Sequence, residues 1–234
     1  MTIKEIQSKL LFLNAKGFVS TKRKGPTGIG HTLEQELNLT ETNLAIPDIG
    51  GRIELKASRK ASNSMVTLFT FNRAVWNIDQ KEIIEKYGYT DNNGRKSLYS
   101  TIFHGINNPQ DLQIEVEKSN NKVYLKHQTG VRLATWSIFT IVGKFISKLD
   151  KLIIVFADTR INELTNKEEF HYNQAYLLEK PSPDNFLEAF TNSIIAIDVR
   201  MHLKENDKVR NHGTGFRIKE TQIPSLYGKR RKIM

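Results

Sequence analysis

"PDIGGRIELKAS", Pro47 to Ser58, is the stretch on which the fold turns. In its second half apolar Ile53 and Leu55 alternate with polar residues, the period of a strand with one face in a core. Glu54 and Lys56 then share the opposite face, and Asp48 stands at the mouth of the strand. A carboxylate and an ammonium projecting from an anchored strand are costly unless that face is solvated or has chemistry to perform. Asp48 and Glu54 are two acidic side chains that can hold Mg²⁺, a hard ion that prefers oxygen, with the backbone carbonyl of Leu55 as a further ligand. Lys56 can orient, or help deprotonate, a water attacking phosphorus. Such a set performs phosphodiester hydrolysis. A solvated strand face carrying an ordinary ion pair is the plainer account of the same residues.

Upstream, "GPTGIGHTLE", Gly25 to Glu34, comes within one residue of the phosphate loop G-x-x-x-x-G-K-[ST], with His31 in place of the lysine. A neutral imidazole does not replace that ammonium, and the preceding "VSTKRK" is too basic for the buried strand such a loop follows. The stretch reads instead as a glycine-rich turn opening a short helix, with Thr27 or Thr32 as cap and Leu33, Glu34 and Leu37 at helical spacing. Glu34 can project from this helix toward the same metal, and the free amides of the turn can touch a DNA phosphate.

The flanking chain mixes element types. Ile6, Leu10, Leu11 and Leu13 form one face of an amphipathic helix from Ile3 to Ala15, ended by Gly17. "MVTLFTF" at 65–71 is a β-rich run expected to pair with the Glu54 strand as its neighbour. Residues 79–87 read as helix, 90–94 as a turn, and "LQIEVEKSNNKVYLKHQ" as a hairpin across Asn120 and Asn121. "KLIIVFADT" and "FHYNQAYLL" read as strands, "SPDNFLEAFTNS" as a helix capped by Ser182, and "IIAIDVRMHL" as a further strand. The class is α/β or α+β around a mixed sheet.

Zero cysteines exclude disulfides and thiolate metal sites, and no stretch has the length or apolarity of a membrane span or a secretion signal, which implies an intracellular protein. The net charge of +10 favours a polyphosphate partner. It is gathered in "TKRK" at 21–24, "RKAS" at 59–62 and "GKRRK" at 228–232, three patches that a folded chain can line along one groove. His104, His127 and His171 lack the paired spacing of a zinc site, and Trp76 and Trp136 read as packing residues.

Taken in order, "TKRKGPTGIGHTLE", "PDIGGRIELKAS", "TLFTF" and "NHGTGFRI" resemble the MvaI and BcnI family of type II restriction endonucleases, relatives of the mismatch-repair nickase MutH. The resemblance covers nearly the full length. It implies a PD-(D/E)XK nuclease core, a mixed central sheet flanked by helices, with a DNA-recognition lobe, and a Mg²⁺-dependent cut in double-stranded DNA by a monomer that clamps the duplex. It implies Asp48 and Glu54 as metal ligands, Lys56 as the catalytic lysine and Glu34 as the auxiliary acid. Asp198, Arg200, His212 and Arg217 match segments that the family uses to contact DNA, while Lys22, Arg23 and Lys24 are candidates for phosphate. The catalytic lobe is expected at 1–110 with parts of 145–180, and the recognition lobe at 180–234 with parts of 110–145. A bacterial cytoplasmic restriction system with a cognate DNA methyltransferase and a CCNGG-like target complete the expectation; a MutH-like nickase and a non-catalytic DNA-binding module are the alternatives.

The residues themselves agree with the recognition role. In "IIAIDVRMHL" Ile195, Ile197 and Val199 share one face, and Asp198, Arg200 and His202 the other. Arginine grips the two acceptors of guanine, histidine donates to guanine or phosphate, and aspartate accepts from the cytosine amino group.

Overall fold

Thr2 closes a capping box on the first helix: its hydroxyl accepts from the Glu5 amide at 3.2 Å while the Glu5 carboxylate accepts from the Thr2 amide at 2.7 Å. The computed structural model describes residues 2–39, 49, 53–61, 64–71 and 75–234. In chain order its elements are α1 (Ile3–Ala15), β1 (Val19–Ser20), α2 (Gly28–Glu36), β2 (Glu54–Arg59), β3 (Met65–Phe71), β4 (Val75–Trp76), α3 (Gln80–Tyr87), β5 (Tyr89–Thr90), β6 (Lys96–Ile102), β7 (Leu112–Glu117) and β8 (Lys122–His127). They continue as β9 (Arg132–Ser137), α4 (Ile138–Leu149), β10 (Lys151–Asn162), β11 (Lys167–Pro181), α5 (Pro183–Thr191), β12 (Ile195–Leu203), β13 (Val209–Asn211), β14 (Thr214–Lys219), a 3₁₀ turn (Glu220–Leu226) and β15 (Tyr227–Lys232). This mixed α+β composition is that of the expected class.

The chain divides into two units. The first holds 1–64, 146–182 and 223–234. Its sheet runs β1-β11-β10-β2, with β15 also paired to β11. β10 and β11 form a long antiparallel hairpin, whereas β2 joins β10 in parallel. The run "LIIV" at 152–155 is fully buried, as expected of a strand paired on both edges and covered on both faces. One face of this sheet, through Leu55, Ile153, Val155, Ala175 and Leu177, shares a core with Ile6, Leu10 and Leu13 of α1 and Ile29 and Leu33 of α2. Leu11, placed on that face from sequence, is instead 49% exposed, because a step of one residue from Leu10 turns it about 100° around the helix.

The second unit holds 65–145 and 183–222. One sheet runs β3-β14-β12-β6-β5 with β13 on β12, and another runs β4-β9-β8-β7. Phe69, Phe186, Phe190 and Phe216 pack rings at centroid distances of 5.0 to 6.2 Å to form its aromatic core. The run at 65–71 does form a strand, but it pairs antiparallel with β14, not with the Glu54 strand. β2 is paired instead by β10, the apolar strand whose second edge needs a partner. Residues 65–110 thus fall in the second unit and 223–234 in the first, against the boundaries expected from sequence.

Candidate functional site

Alternation places Glu54 and Lys56 on the face of β2 opposite the α1–α2 core, in register with Leu152 and Ile154 of β10. Glu54 is 4% exposed, so the solvated-face account of this pair does not hold. A buried carboxylate requires charge compensation. Lys56 Nζ donates to Glu54 Oε1 at 3.0 Å, and Lys148 Nζ lies 3.6 Å from the same oxygen. Glu54 Oε2 is buried and, among the described residues, accepts no hydrogen bond. One oxygen is thus held by two ammonium groups and the other is left for a further positive partner. That is the donor chemistry a hard divalent cation takes.

Lys148 is not among the residues expected from sequence. It sits in the last turn of α4, a helix marked by the spacing of Ile138, Ile141, Phe145 and Leu149, and a cation is favoured at that helix end. The segment after α4 is anchored by Tyr227, whose hydroxyl donates to the Leu149 carbonyl at 2.9 Å. Burial, with the charges of Glu54 and Asp150, pushes the Tyr227 phenol above its ordinary range, so it stays a donor.

Asp48 lies outside the described residues. Ile49, next in the chain, bridges to Ile53, with Ile49 N donating to Ile53 O at 2.9 Å. The Leu55 side chain is in the core, which leaves its backbone as the only group able to serve a metal. Glu34 is half-buried on α2, whose Leu33, with Leu37 just past the helix end, joins the core on the Ile53–Leu55 side of β2. Among the described residues no three acidic or histidine side chains gather in metal-binding geometry.

The glycine-rich turn serves packing. Thr27 precedes α2 but its side chain caps nothing, and Thr32 is buried inside the helix, where its hydroxyl accepts from the Lys22 amide at 2.9 Å. Neither is the side-chain cap expected from sequence. A Cβ at Gly28 would stand 2.3 Å from the Arg23 carbonyl oxygen, so only glycine lets the basic loop lie against the helix. Arg59 fixes the far side: it donates to both carboxylate oxygens of Glu168 at 2.7 Å and to Pro26 O at 3.3 Å, while Thr21 N donates to Glu168 O at 2.8 Å. Lys22, Arg23 and Lys24 are left exposed on a fastened loop.

In the second unit, β12 is buried on both faces, so Asp198 and His202 do not form the open charged row that alternation suggested. Asp198 accepts from Thr101 at 2.6 Å and from Arg217 Nη1 at 2.8 Å, and Arg217 Nη2 donates to the Met65 carbonyl at 2.6 Å. The aspartate therefore orients Arg217. Arg200 Nε is buried and, among the described residues, has no hydrogen-bond partner, while the Arg200 carbonyl accepts from the His212 amide at 2.9 Å. His212, His202 and Tyr99 form a ring cluster, with His202 and His212 centroids 5.5 Å apart and the Tyr99 hydroxyl 2.8 Å from His202 Nδ1. Burial, then Arg95 and His212, lower the His202 pKa; burial, then Arg210, Arg200 and Arg95, lower that of His212. Tyr99 and Thr101 lie on β6, opposite Arg200 and Asp198. Only this register, invisible in the sequence, reveals them as partners.

A family model described as the MvaI/BcnI restriction endonuclease family matches residues 7–227. Among solved structures, one titled "Restriction endonuclease MvaI-cognate DNA substrate complex" superposes with a TM-score of 0.81 at 25% identity, over 100% of both chains. Another, of the restriction endonuclease MvaI in the absence of DNA, superposes with a TM-score of 0.59 at 22% identity, over 100% of this chain and 99% of that one. No match is found among curated proteins.

Proposed function

Since the chain belongs to the MvaI/BcnI restriction endonuclease family and is a type II site-specific deoxyribonuclease that binds double-stranded DNA, we propose that it cuts in a Mg²⁺-dependent manner at a short, CCNGG-like pseudo-palindromic site. The observation that carries the metal reading is Glu54: a buried carboxylate with one oxygen on two lysines and the other without a partner among the described residues. Asp48, Glu54 and the Leu55 carbonyl are the groups that would hold Mg²⁺, which when bound supplies Lewis-acid polarisation of the phosphate and a more acidic water.

The chain's own groups do the rest. Lys56, fixed by Glu54, orients the attacking water and takes part in its deprotonation. Lys148 shares that carboxylate, restrains its orientation and adds positive potential where charge grows on the phosphate oxygens. Glu34 is the auxiliary acid. Arg200, His212 and Arg217 read base edges, the last held in place by Asp198, and Lys22, Arg23 and Lys24 hold phosphates. The enzyme acts as a monomer beside a methyltransferase that protects the same site.

The test is supercoiled plasmid with and without Mg²⁺. Linear fragments with one recurrent end sequence are expected. Persistent open circles would instead make it a nickase, and a mobility shift with no cleavage under any divalent metal would overturn the hydrolytic role.

A further inference from the structure

The face of β12 that carries Asp198, Arg200 and His202 continues onto its neighbours in rows. Thr101 stands opposite Asp198, Tyr99 opposite Arg200, and both Ser97 and Arg210 opposite His202. Residues in register project from one face, so these side chains form a single polar surface. Asp198 and His202 are its floor, 7% and 8% exposed, while Tyr99, Arg210 and His212 around them reach solvent and Arg200 is half-buried. His202 meets the residues given a base-reading role above directly, through the His212 ring at a centroid distance of 5.5 Å.

One nitrogen of His202 is taken and the other is open. The Tyr99 hydroxyl stands 2.8 Å from Nδ1, and the two rings stack at an interplanar angle of 16°. Ser97, opposite His202 by register, is occupied elsewhere, donating to Asp91 Oδ2 at 2.8 Å. Among the described residues Nε2 has no hydrogen-bond partner, and His202 lines a cavity of about 420 Å³ with Arg95 and the turn from Lys204 to Asn206. An imidazole kept for packing alone is expected to have both nitrogens satisfied.

Burial, then Arg95 and His212, hold His202 below the ordinary histidine range against the pull of Asp91, so at neutral pH the ring is neutral and carries one proton. A phenol O–H donates more strongly than a neutral imidazole N–H, and an imidazole nitrogen accepts more strongly than a phenol oxygen. Tyr99 therefore donates to Nδ1, and the proton of His202 sits on Nε2. The open nitrogen is a donor and cannot accept. A phosphate contact would gain little from this fixing, because positive charge serves it in any tautomer. A base edge gains much, because guanine offers acceptors at N7 and O6 where cytosine offers an amino donor. We propose that His202 is a further base-reading residue, donating from Nε2 to the N7/O6 edge of a guanine in the recognition site, and that Tyr99 is the positioning residue that makes it a donor; this rests on the endonuclease reading above.

The experiment joins nitrogen NMR of isotope-labelled histidine to binding titrations in Ca²⁺ on the site defined by the cleavage ends. In wild type His202, assigned by its loss in His202→Gln, should show a pyridine-type Nδ1 and a pyrrole-type Nε2, and Tyr99→Phe should move both toward averaged values. Tyr99→Phe and His202→Ala should each weaken the cognate duplex about tenfold, the size of one lost hydrogen bond, while scrambled duplex changes by about twofold or less, which also shows the fold intact. His202→Gln, which keeps an N–H near the place of Nε2, should recover part of the loss. Tyr89→Phe, which removes a neighbouring hydroxyl bonded to the Tyr99 carbonyl at 3.4 Å, should change nothing. Each guanine of the site is then replaced in turn by 7-deazaguanine, which lacks N7, or by 2-aminopurine, which lacks O6. At one position the loss seen with wild type should vanish in His202→Ala. A pyrrole-type Nδ1 in wild type, equal losses on cognate and scrambled duplexes, or analogue losses that persist in His202→Ala at every position overturn the assignment while leaving the endonuclease intact. A wild-type protein that neither prefers nor cuts any site overturns both.

Discussion

Glu54 is held by three groups at once, its backbone in the sheet and its Oε1 by two lysines, so removing its charge should disable chemistry before it disables the fold. Glu54→Gln is expected to lose cleavage by at least about a hundredfold while duplex affinity stays within a few-fold, checked by single-turnover cleavage beside a binding titration in Ca²⁺. Near-native cleavage would remove Glu54 from the centre. Asp198→Asn should leave Arg217 half-paired and cost about 2 kcal/mol in urea unfolding, less than a fully enclosed pair because Arg217 keeps 30% exposure. The histidines predict a pH effect of fixed sign. Burial and the surrounding arginines, opposed at His202 by Asp91, depress both pKa values in the folded state, so the unfolded chain takes up protons first as pH falls. Their stability contribution is present above about pH 6.5 and is lost below it. The unfolding midpoint should therefore fall as pH is lowered from about 7.5 to about 5.5, and less steeply in His212→Asn. Alternation alone made the shared face of Glu54 and Lys56 legible, but it did not disclose that β12 is buried on both faces, which closes the charged row expected there. Lys148, Tyr99 and Thr101 were not legible, because what brings them in is a helix end and a strand register set by long-range pairing.

At the scale of elements, the basic loop and α2 behave as one piece, joined through Gly28, Thr32 and Arg59. Gly28→Ala should displace the loop and weaken cognate and scrambled duplexes by equal factors, several-fold each, while the ratio between them is kept; a change in that ratio would assign the loop to base reading. Most helices and the longer central strands were legible from period, including the helix at 79–87, where the structure adds a cap the sequence reading did not single out: the Asp79 carboxylate accepts from the Lys81 amide at 2.8 Å. Pairing was less so. Chain proximity argued for β2 beside β3, yet the two lie in different sheets, because strand partners follow which apolar edge needs covering and a short link does not disclose that.

For the whole molecule, a net charge of +10 becomes a binding property only where the cations reach solvent, as Lys22, Arg23 and Lys24 do on the loop proposed above to hold phosphates. Three phosphate contacts would give a salt slope of about −2.7, so raising salt from about 50 to about 200 mM should weaken a scrambled duplex about 40-fold. A fall of only about twofold would overturn the phosphate role of this loop. The order of segments has a further result. The strand β2, which carries Glu54 and Lys56, is made early, but the strand that receives it, β10, follows only after residues 65–145 of the second unit, and β15 follows β10 and β11. Pairing across such separations forms late in folding. A nascent or prematurely terminated chain that stops before residue 151 leaves β2 without β10, and one that stops before 148 also lacks the second lysine on Glu54, so such truncated copies are expected to leave supercoiled plasmid uncut in a cleavage assay.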